Sequence, residues 1–367
     1  MEDFTQAIEL EPKFNFSCSS YIEDIGGGKI QQDSGCIIEV NDSIRCNVSA
    51  DGHGEHGELA SSICIEVIKI MIHESNKDEI QSNTHVFLKL LFQTIQEEIK
   101  RQFLAKCSGS EEQLKQFGGS TLTIVLIVDD TIYCANVGDS DALMCIQEES
   151  TDEQSSEHIL NSNHNAENED EWRRIRDVKS NPSNPKLPYL DIKYESMHHF
   201  GASKNIFELQ EDGTLTSNKK EVIDKQLSFF KNVKGELASM VKIPKSRIKL
   251  SFTRSMGDFH LQDYGVSCEP DIKTYSITDF FDKKTSSKDS DILCIVLGSD
   301  GIWDCLEHHK CSQFVFYPNC INALKTLEDG AQRVCQSFLE QIKKISKDIF
   351  GSSSDNMSMS LVYIQKK

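Results

Sequence analysis

The chain has no long apolar run and no excess of positive charge. Its longest mainly apolar run covers residues 122–128, far short of the roughly 18 residues that a membrane-spanning helix needs. The 367 residues include 39 Lys and Arg against 58 Asp and Glu, a net charge of −19. This charge argues against binding to nucleic acid or to anionic membranes. We therefore expect no membrane-spanning segment and no nucleic-acid partner.

Targeting signals and zinc-type cysteine spacing are also missing. The chain begins Met-Glu-Asp, without the basic and then apolar pattern of a secretory signal, and position 2 is not the Gly that myristoylation requires. The 13 Cys are odd in number, and several, including Cys46, Cys134 and Cys294, lie within apolar runs. These features predict reduced core thiols and a cytoplasmic or nuclear location.

Apolar periodicity predicts groups of strands that alternate with helices. Strands are predicted over 36–40, 45–50, 120–128, 132–136, 142–146, 272–275 and 292–297 and at the C-terminus. Helices are predicted over 58–72, 83–105, 308–316 and 322–350. Such an alternation is typical of a layered α+β domain.

One part of the chain departs from this pattern. Residues 147–171 hold nine acidic side chains and no Lys or Arg, whereas residues 176–247 hold 13 basic and nine acidic side chains. Two interpretations remain open for this part. It is either a partly disordered surface insertion or a flap that selects substrates or regulates activity, since loops beside a rigid site often carry specificity.

Five clusters that contain aspartate lie beside predicted strands. Their aspartates are Asp33, Asp51, Asp139, Asp300 with Asp304, and Asp355. Carboxylates at neighbouring strand ends can converge at one end of a sheet, where they repel each other unless cations lie between them. Asp is a hard oxygen ligand for Mg²⁺ or Mn²⁺, and paired ions promote in-line displacement at phosphorus. His53 follows Asp51 closely, and His is suited to donate a proton near neutral pH.

Eight short motifs identify the chain as similar to a known family. They are Gln-Asp at 32–33, Asp-Gly-His-Gly at 51–54, Gly-Gly-Ser-Thr at 118–121, Ala-Asn-Val-Gly-Asp-Ser at 135–140, Thr-Arg-Ser-Met-Gly-Asp-Phe at 253–259, Cys-Glu-Pro-Asp at 268–271, Ser-Asp-Gly-Ile-Trp-Asp at 299–304 and Asp-Asn-Met-Ser at 355–358. In these motifs and their order, the chain resembles the metal-dependent protein serine/threonine phosphatases of the phosphatase 2C (PPM) family.

The resemblance implies an αββα sandwich, in which two antiparallel β-sheets are flanked by helix pairs, with an expanded flap insertion. It also implies the domain boundaries. Residues 1–23 would be an N-terminal extension, and residues 24–367 would form a phosphatase 2C-like catalytic domain. That domain would contain the acidic segment and the expanded flap at 147–247.

The same resemblance implies a set of metal ligands for two or three Mg²⁺ or Mn²⁺ ions. Asp51 would bridge two ions, and the Gly52 carbonyl would reach one of them. Asp300 and Asp355 would complete the carboxylates of the first ion. Some members hold a third, weaker ion at positions that correspond to Asp139, Asp304 and Asp300 of this chain.

The resemblance further implies the catalytic groups. A hydroxide bridging the two ions would attack phosphorus in line, without a phosphoenzyme intermediate. Asp33 would accept hydrogen bonds from water at the ions, and His53 would protonate the departing Ser or Thr alkoxide. Asp258 is expected to be structural, and His308 and His309 to be solvated residues at a helix start.

Two positions depart from the family pattern. Many members have Glu where this chain has Gln32, and an Arg that clamps the substrate phosphate where it has Gly28. Lys29, next to that position, is the candidate for contacting the substrate phosphate. Lys is a point charge without the bidentate fork of Arg, so we expect weaker phosphate capture.

Two functions from different classes remain. The favoured one is a monomeric, Mg²⁺- or Mn²⁺-dependent phosphatase that acts on phosphoprotein substrates. The alternative is a catalytically weak or silent pseudophosphatase that acts as a binding or regulatory protein, and Gly28 and Gln32 are its support. A phosphodiesterase or nuclease is disfavoured by the net charge and by the lack of a basic, aromatic-studded face.

Overall fold

The computed structural model describes residues 13–23, 30–41, 43–75, 77–147, 155–178, 190–195, 203–224, 237–243, 249–282, 292–327 and 329–367. The strands are β1 Phe14–Glu23, β2 Asp33–Asn41, β3 Ile44–His53, β4 Gly119–Ser120, β5 Leu122–Val128, β6 Thr131–Val137, β7 Asp141–Gln147, β8 Ser155–Ile159, β9 Asp191–Glu195, β10 Ser203–Asn205, β11 Phe207–Leu209, β12 Leu215–Ser217, β13 Ser239–Lys242, β14 Lys249–Leu250, β15 Met256–Gly257, β16 Asp271–Ser276, β17 Ile292–Gly298 and β18 Met357–Lys366. The helices are α1 Gly57–Glu74, α2 Lys77–Ser82, α3 Thr84–Lys106, α4 Glu111–Leu114, α5 Glu169–Val178, α6 Lys219–Asp224, α7 Phe259–Gln262, α8 Ile277–Asp282, α9 Asp300–Trp303, α10 His308–Val315, α11 Pro318–Thr326 and α12 Gly330–Phe350.

Two antiparallel sheets form the centre of the molecule. The first has the strand order β1-β18-β17-β7-β8. The second has the order β15-β4-β3-β5-β6-β16, and β2 pairs with β3 outside this path. Strand β1 pairs with β18 from Phe14 opposite Lys366 to Glu23 opposite Met357. Residues 14–23 of the expected N-terminal extension are therefore part of the first sheet.

The side-chain alternation of β5 shows how the layers pack. Val125 and Ile127 point into a core shared with the first sheet, whereas Ile124 and Leu126 belong to a core shared with α1 and α3. Because successive strand residues face opposite sides, a strand buried on both faces is mainly apolar. This explains why six of the seven residues of β5 are apolar. The exception, Thr123, donates its hydroxyl to the Ser140 carbonyl at 3.1 Å.

Helices cover the outer face of each sheet. Helices α1 and α3 cover the second sheet, as described above. On the first sheet, Phe338 of α12 packs in one core with Val296 of β17 and Leu361 of β18. The order of layers is helices, sheet, sheet, helices, which confirms the predicted αββα sandwich. No described helix has both the length and the apolar character needed to cross a membrane.

The prediction of one long helix near 322–350 is wrong, because the chain forms two helices there. Helix α11 ends at Thr326, and Leu327 has an extended backbone with φ −122° and ψ 134°. Helix α12 begins at Gly330, where a Cβ atom would lie 2.4 Å from the carbonyl oxygen of Ala323. The continuous apolar periodicity concealed a turn that brings the two helices together at a glycine.

All 13 cysteines lie in the described part of the chain and are free thiols. All of them are buried except Cys18 and Cys268, which are partly exposed. Burial raises the pKa of Cys134 to about 12, so this thiol is held in its neutral form. Such thiols act as small core residues.

The described residues of the insertion share an apolar core with Phe252, Leu261 and Val266 of the segment that follows it. Strands β10, β9, β13 and β14 form a separate sheet, and β11 pairs with β12. Trp172, Tyr194, Ile206 and Val241 are buried together in this part of the molecule. The described part of the insertion is therefore a small packed unit beside the sandwich.

A buried carboxylate connects α5 to the motif at residues 253–259. The side chain of Glu171 is 4% exposed. It accepts hydrogen bonds from Arg254 Nη2 at 2.6 Å, from Arg174 Nη2 at 2.7 Å and from Thr253 Oγ1 at 2.6 Å. Burial acts to raise the pKa of Glu171, but the hydrogen bonds outweigh it and hold the pKa well below the usual value. This network fixes the backbone that leads to Asp258.

We expect Glu171→Gln to lower the free energy of unfolding by about 3 kcal/mol at neutral pH. The substitution removes the negative charge that pairs with the guanidinium groups of Arg174 and Arg254. A carboxylate with a lowered folded-state pKa adds stability above its ordinary pKa of 4.5, and this stability is lost as the pH falls below that value. Urea denaturation at a series of pH values should show the difference between variant and native protein shrinking in acid.

The matched control for this measurement is Glu169→Gln, whose partner Arg173 forms an exposed pair with it. This change should alter the free energy of unfolding by less than about 0.5 kcal/mol. A Glu171→Gln variant as stable as the native protein, or a difference that does not depend on pH, would contradict the role given to the network.

Candidate active site

The ends of β2 and β3 bring two predicted site residues together. Asp33 lies opposite Asp51 in the antiparallel register. The backbone N–H of Gly52 donates to the carbonyl of Gln32 at 3.1 Å. A Cβ atom on Gly52 would lie 2.3 Å from the Gly57 carbonyl oxygen, so only glycine allows this approach. The segment that carries Asp51 is thereby held between β2 and the start of α1.

The neighbouring strands β17 and β18 bring two more carboxylates to the same end of the sandwich. Asp300 begins α9 directly after β17, and Asp355 directly precedes the segment that enters β18. The Ser358 N–H donates to Ser299 Oγ at 3.0 Å. A Cβ atom on Gly301 would lie 2.0 Å from the Asn356 carbonyl oxygen. These close contacts hold the two strand ends side by side.

Hydrogen bonds also join these strand ends across the two sheets. The Gln32 N–H donates to Asn356 Oδ1 at 3.2 Å, and the hydroxyl groups of Ser49 and Ser358 are 2.7 Å apart. Residues more than 300 positions apart in sequence therefore meet at one site.

The electrostatics show that the carboxylates are close enough to act on each other. Burial raises the pKa of Asp51 well above its usual value, and the charges of Asp33, Asp300, Asp355 and Asp139 raise it further. Burial, together with the charges of Asp300 and Asp355, raises the pKa of Asp33 to about 7. Five of the predicted aspartates thus share one electrostatic environment.

The sixth aspartate lies in an adjoining cavity. This cavity of about 190 Å³ is lined by Asp139, Asp300 and Asp304. Asp141 and His308 also line this cavity, and neither was predicted to belong to the site. His308 Nε2 lies 3.2 Å from Asp141 Oδ2. The expectation of solvated side chains is confirmed for His309, which is 51% exposed. It is wrong for His308, which is 23% exposed and has its ring edge-on to Trp303. Asp141 is the first residue of β7.

The donor set fits a hard divalent cation. In the described residues, no group of three or more His, Cys, Asp or Glu side chains is placed so that it could hold a metal ion by itself. Mg²⁺ commonly binds through only one or two carboxylates and keeps several waters, so such a group is not required. Asp33 Oδ2 is buried and has no hydrogen-bond partner among the described residues, which leaves an oxygen atom available beside the cluster. Hard oxygen donors with a surplus of negative charge suit Mg²⁺ or Mn²⁺.

His53 is held in place by a carboxylate. Its Nε2 lies 2.7 Å from Asp258 Oδ2, and the Ser255 hydroxyl donates to the same oxygen at 2.7 Å. Burial acts to lower the pKa of His53, but the charge and hydrogen bond of Asp258 raise it above its usual value. The ring of Phe252 contacts His53 edge-on, with ring centroids 5.0 Å apart. His53 Nδ1 is buried and has no hydrogen-bond partner in the described structure.

Asp258, which is expected to be structural, contacts the candidate catalytic residue His53. It is 1% exposed and has a left-handed backbone with φ 45°. A Cβ atom on Gly119 would lie 2.6 Å from Asp258 Oδ2, so the glycine makes room for this carboxylate. The only signal in the sequence was its place within the motif at 253–259, because a contact across 205 positions leaves no local pattern.

Of the two positions that depart from the family pattern, the structure describes Gln32 only. Gln32 Nε2 donates to the Gly54 carbonyl at 2.9 Å and lies 3.4 Å from Glu58 Oε2. The Gln32 side chain therefore supports the turn that follows Asp51. Gly28 and the phosphate-contact candidate Lys29 lie outside the described residues.

Comparisons with known proteins show which family the chain is similar to. A family model for Protein phosphatase 2C matches residues 26–186 and 222–344. "Putative protein phosphatase 2C 50" of Arabidopsis thaliana is 26% identical over 189 residues, which cover 52% of this chain and 38% of that protein. The "Integrin-linked kinase-associated serine/threonine phosphatase 2C" of Mus musculus is 32% identical over 135 residues, which cover 36% of this chain and 32% of that protein. The chain thus spans about a third of the length of these relatives.

Solved structures share the fold along almost the whole chain. A serine-threonine phosphatase 2C from Toxoplasma gondii matches with a TM-score of 0.56 and 16% identity, over 96% of this chain and 97% of that one. A bacterial serine phosphatase matches with a TM-score of 0.54 and 15% identity, over 96% and 99% of the two chains. At such identities the likeness concerns the fold. Because the family model covers well over half of the sequence, the chain belongs to the protein phosphatase 2C family.

Proposed function

We propose that this protein is a Mg²⁺- or Mn²⁺-dependent protein phosphatase that hydrolyses phosphoserine and phosphothreonine in phosphoprotein substrates. The observation that carries the proposal is the convergence of buried carboxylates around Asp51, at the same end of the sandwich as His53. Family membership supports it, and so do the relatives named as serine/threonine phosphatases.

In this proposal the aspartates hold the ions. Asp51 would lie between two of them, with the Gly52 carbonyl directed to one and with Asp300 and Asp355 completing the other. The third ion would lie in the cavity lined by Asp139, Asp300 and Asp304. When bound, the ions would neutralise phosphate charge and lower the pKa of a water molecule towards neutrality.

The remaining steps belong to the side chains of the protein. Asp33 would orient the attacking water through its buried Oδ2. His53 holds Nε2 against Asp258, so its Nδ1 is the atom that would donate a proton to the departing Ser or Thr oxygen. In line with the family pattern, this scheme uses direct attack by water and no covalent phosphoenzyme. Asp258 acts as a positioning residue, because it orients the imidazole and favours its protonated form.

We expect the protein to hydrolyse p-nitrophenyl phosphate when Mn²⁺ is added and to lose this activity with EDTA. Asp51→Asn and Asp300→Asn should each lower kcat/KM by at least about 100-fold, since metal-assisted stabilisation of the transition state amounts to several kcal/mol. Mn²⁺ should also raise the Tm of the native protein but not that of Asp51→Asn.

The exposed Asp170 on α5 provides the control for that experiment, because Asp170→Asn removes a carboxylate outside the cluster and should leave kcat/KM unchanged. A folded native protein without Mn²⁺-dependent hydrolysis would instead support the pseudophosphatase alternative.

We expect the effect of His53→Asn to depend on the leaving group. A serine alkoxide needs a proton to depart, so kcat for a phosphoserine peptide should fall by about 10²–10⁴-fold. Nitrophenolate departs without one, so kcat for p-nitrophenyl phosphate should fall much less. Asp258→Asn should show the same bias between substrates with a smaller loss. Equal losses on the two substrates would assign His53 and Asp258 a structural role instead.

A further inference from the structure

A second cavity lies beside His53, and Ser251 lines both this cavity and the acidic one. Its volume is about 360 Å³, within the roughly 300–1,000 Å³ that is usual for ligand sites. Phe117, from the core of the second sheet, forms part of its wall together with Phe252, which packs in the core of the insertion. Met240 and Leu250, from the sheet of the insertion, form another part. The cavity is therefore built jointly by the family fold and by the insertion of this chain.

Two imidazoles in this wall have ring nitrogen atoms without a hydrogen-bond partner in the described structure. His53 contributes its buried Nδ1, since its Nε2 is paired with Asp258. His260 is 7% exposed, and both of its ring nitrogen atoms are buried without a partner. A buried polar group without a partner costs free energy, and a ligand in the cavity could satisfy these nitrogen atoms once the rings turn towards it. Burial lowers the pKa of His260, so the ring is neutral and offers one donor and one acceptor.

The position of the cavity relative to His53 indicates what it binds. This step rests on the proposed function. If His53 protonates the departing oxygen, the Ser or Thr bonded to that oxygen lies on the His53 side of the phosphorus. The polypeptide on either side of that residue must then pass along the wall that contains His53. Gln116 and Glu55 are exposed at the edge of the cavity, so a chain can enter from solvent there.

We propose that this cavity is a substrate subsite for an apolar side chain next to the phosphorylated Ser or Thr, and that His260 hydrogen-bonds the backbone of the same peptide. The occupant is thus a phosphopeptide segment with an apolar residue, such as Leu, beside the phosphorylated residue. The four apolar side chains named above would surround this apolar residue of the peptide. Removal of its side chain from water supplies the affinity.

The test compares pairs of phosphoserine peptides that differ in one residue. That residue is Leu in one peptide and the uncharged Gln in the other, and it stands directly before phosphoserine in one pair and directly after it in a second pair. Both kcat/KM and Kd are measured, the latter by fluorescence anisotropy. We expect at least about a tenfold preference for a Leu peptide, since burying one Leu side chain accounts for a factor of that size. N-acetyl phosphoserine methylamide, which has no flanking side chain, reports the basal activity.

Two variants narrow the cavity in different ways. Leu250→Trp fills it from the wall, and Gln116→Trp restricts its exposed edge without changing a buried residue. Each should remove most of the Leu preference and leave hydrolysis of the methylamide unchanged. The control is Leu209→Trp, because Leu209 is 60% exposed on the insertion and does not line the cavity. His260→Phe should weaken the binding of Leu and Gln peptides equally.

Equal Kd and kcat/KM values for Leu and Gln peptides would overturn the proposal. A Leu preference that persists in both folded tryptophan variants would also overturn it. Failure of the proposed function gives a different pattern, in which no substrate is hydrolysed but the Leu peptide still binds more tightly than the Gln peptide.

Discussion

Mutual repulsion between buried carboxylates is the constraint on which the active-site end of this protein depends. Asp33 and Asp51 lie opposite each other on paired strands, and the charges of Asp300 and Asp355 reach both. Ionised carboxylates in such a place oppose folding unless cations compensate them. The packed layers of the sandwich hold the strand ends together against this repulsion, and the resulting field is suited to divalent ions.

The fold could be predicted where local pattern and long-range packing agree. Strand β5 is apolar apart from Thr123 because both of its faces are buried, and α1 shows helical periodicity because one face covers the second sheet. The break between α11 and α12 was missed because apolar periodicity continues across it, and only the close approach at Gly330 requires a turn. The small sheet of the insertion was missed as well, because its strands are short and its charged residues suggested a surface segment.

The aspartates of the site could be predicted only as members of a set. Each lies in an ordinary turn, and the order of the motifs along the chain made the set recognisable. The contacts of Asp258 and His308 could not be predicted, because their partners, His53 and Asp141, lie far away in sequence. The roles of the ligands, and of Lys29 in phosphate contact, remain predictions. The second cavity had no sequence signal, because its walls come from Phe117, Phe252 and the insertion.

The central claim is that Asp51 and the neighbouring carboxylates bind two divalent ions close together. Electron paramagnetic resonance of the protein titrated with Mn²⁺ tests it most directly, because ions a few ångströms apart are magnetically coupled. The account predicts a coupled two-manganese spectrum that Asp51→Asn converts to that of isolated ions or abolishes. Spectra of isolated, uncoupled Mn²⁺ at saturation, or no bound Mn²⁺ in the folded protein, would contradict it.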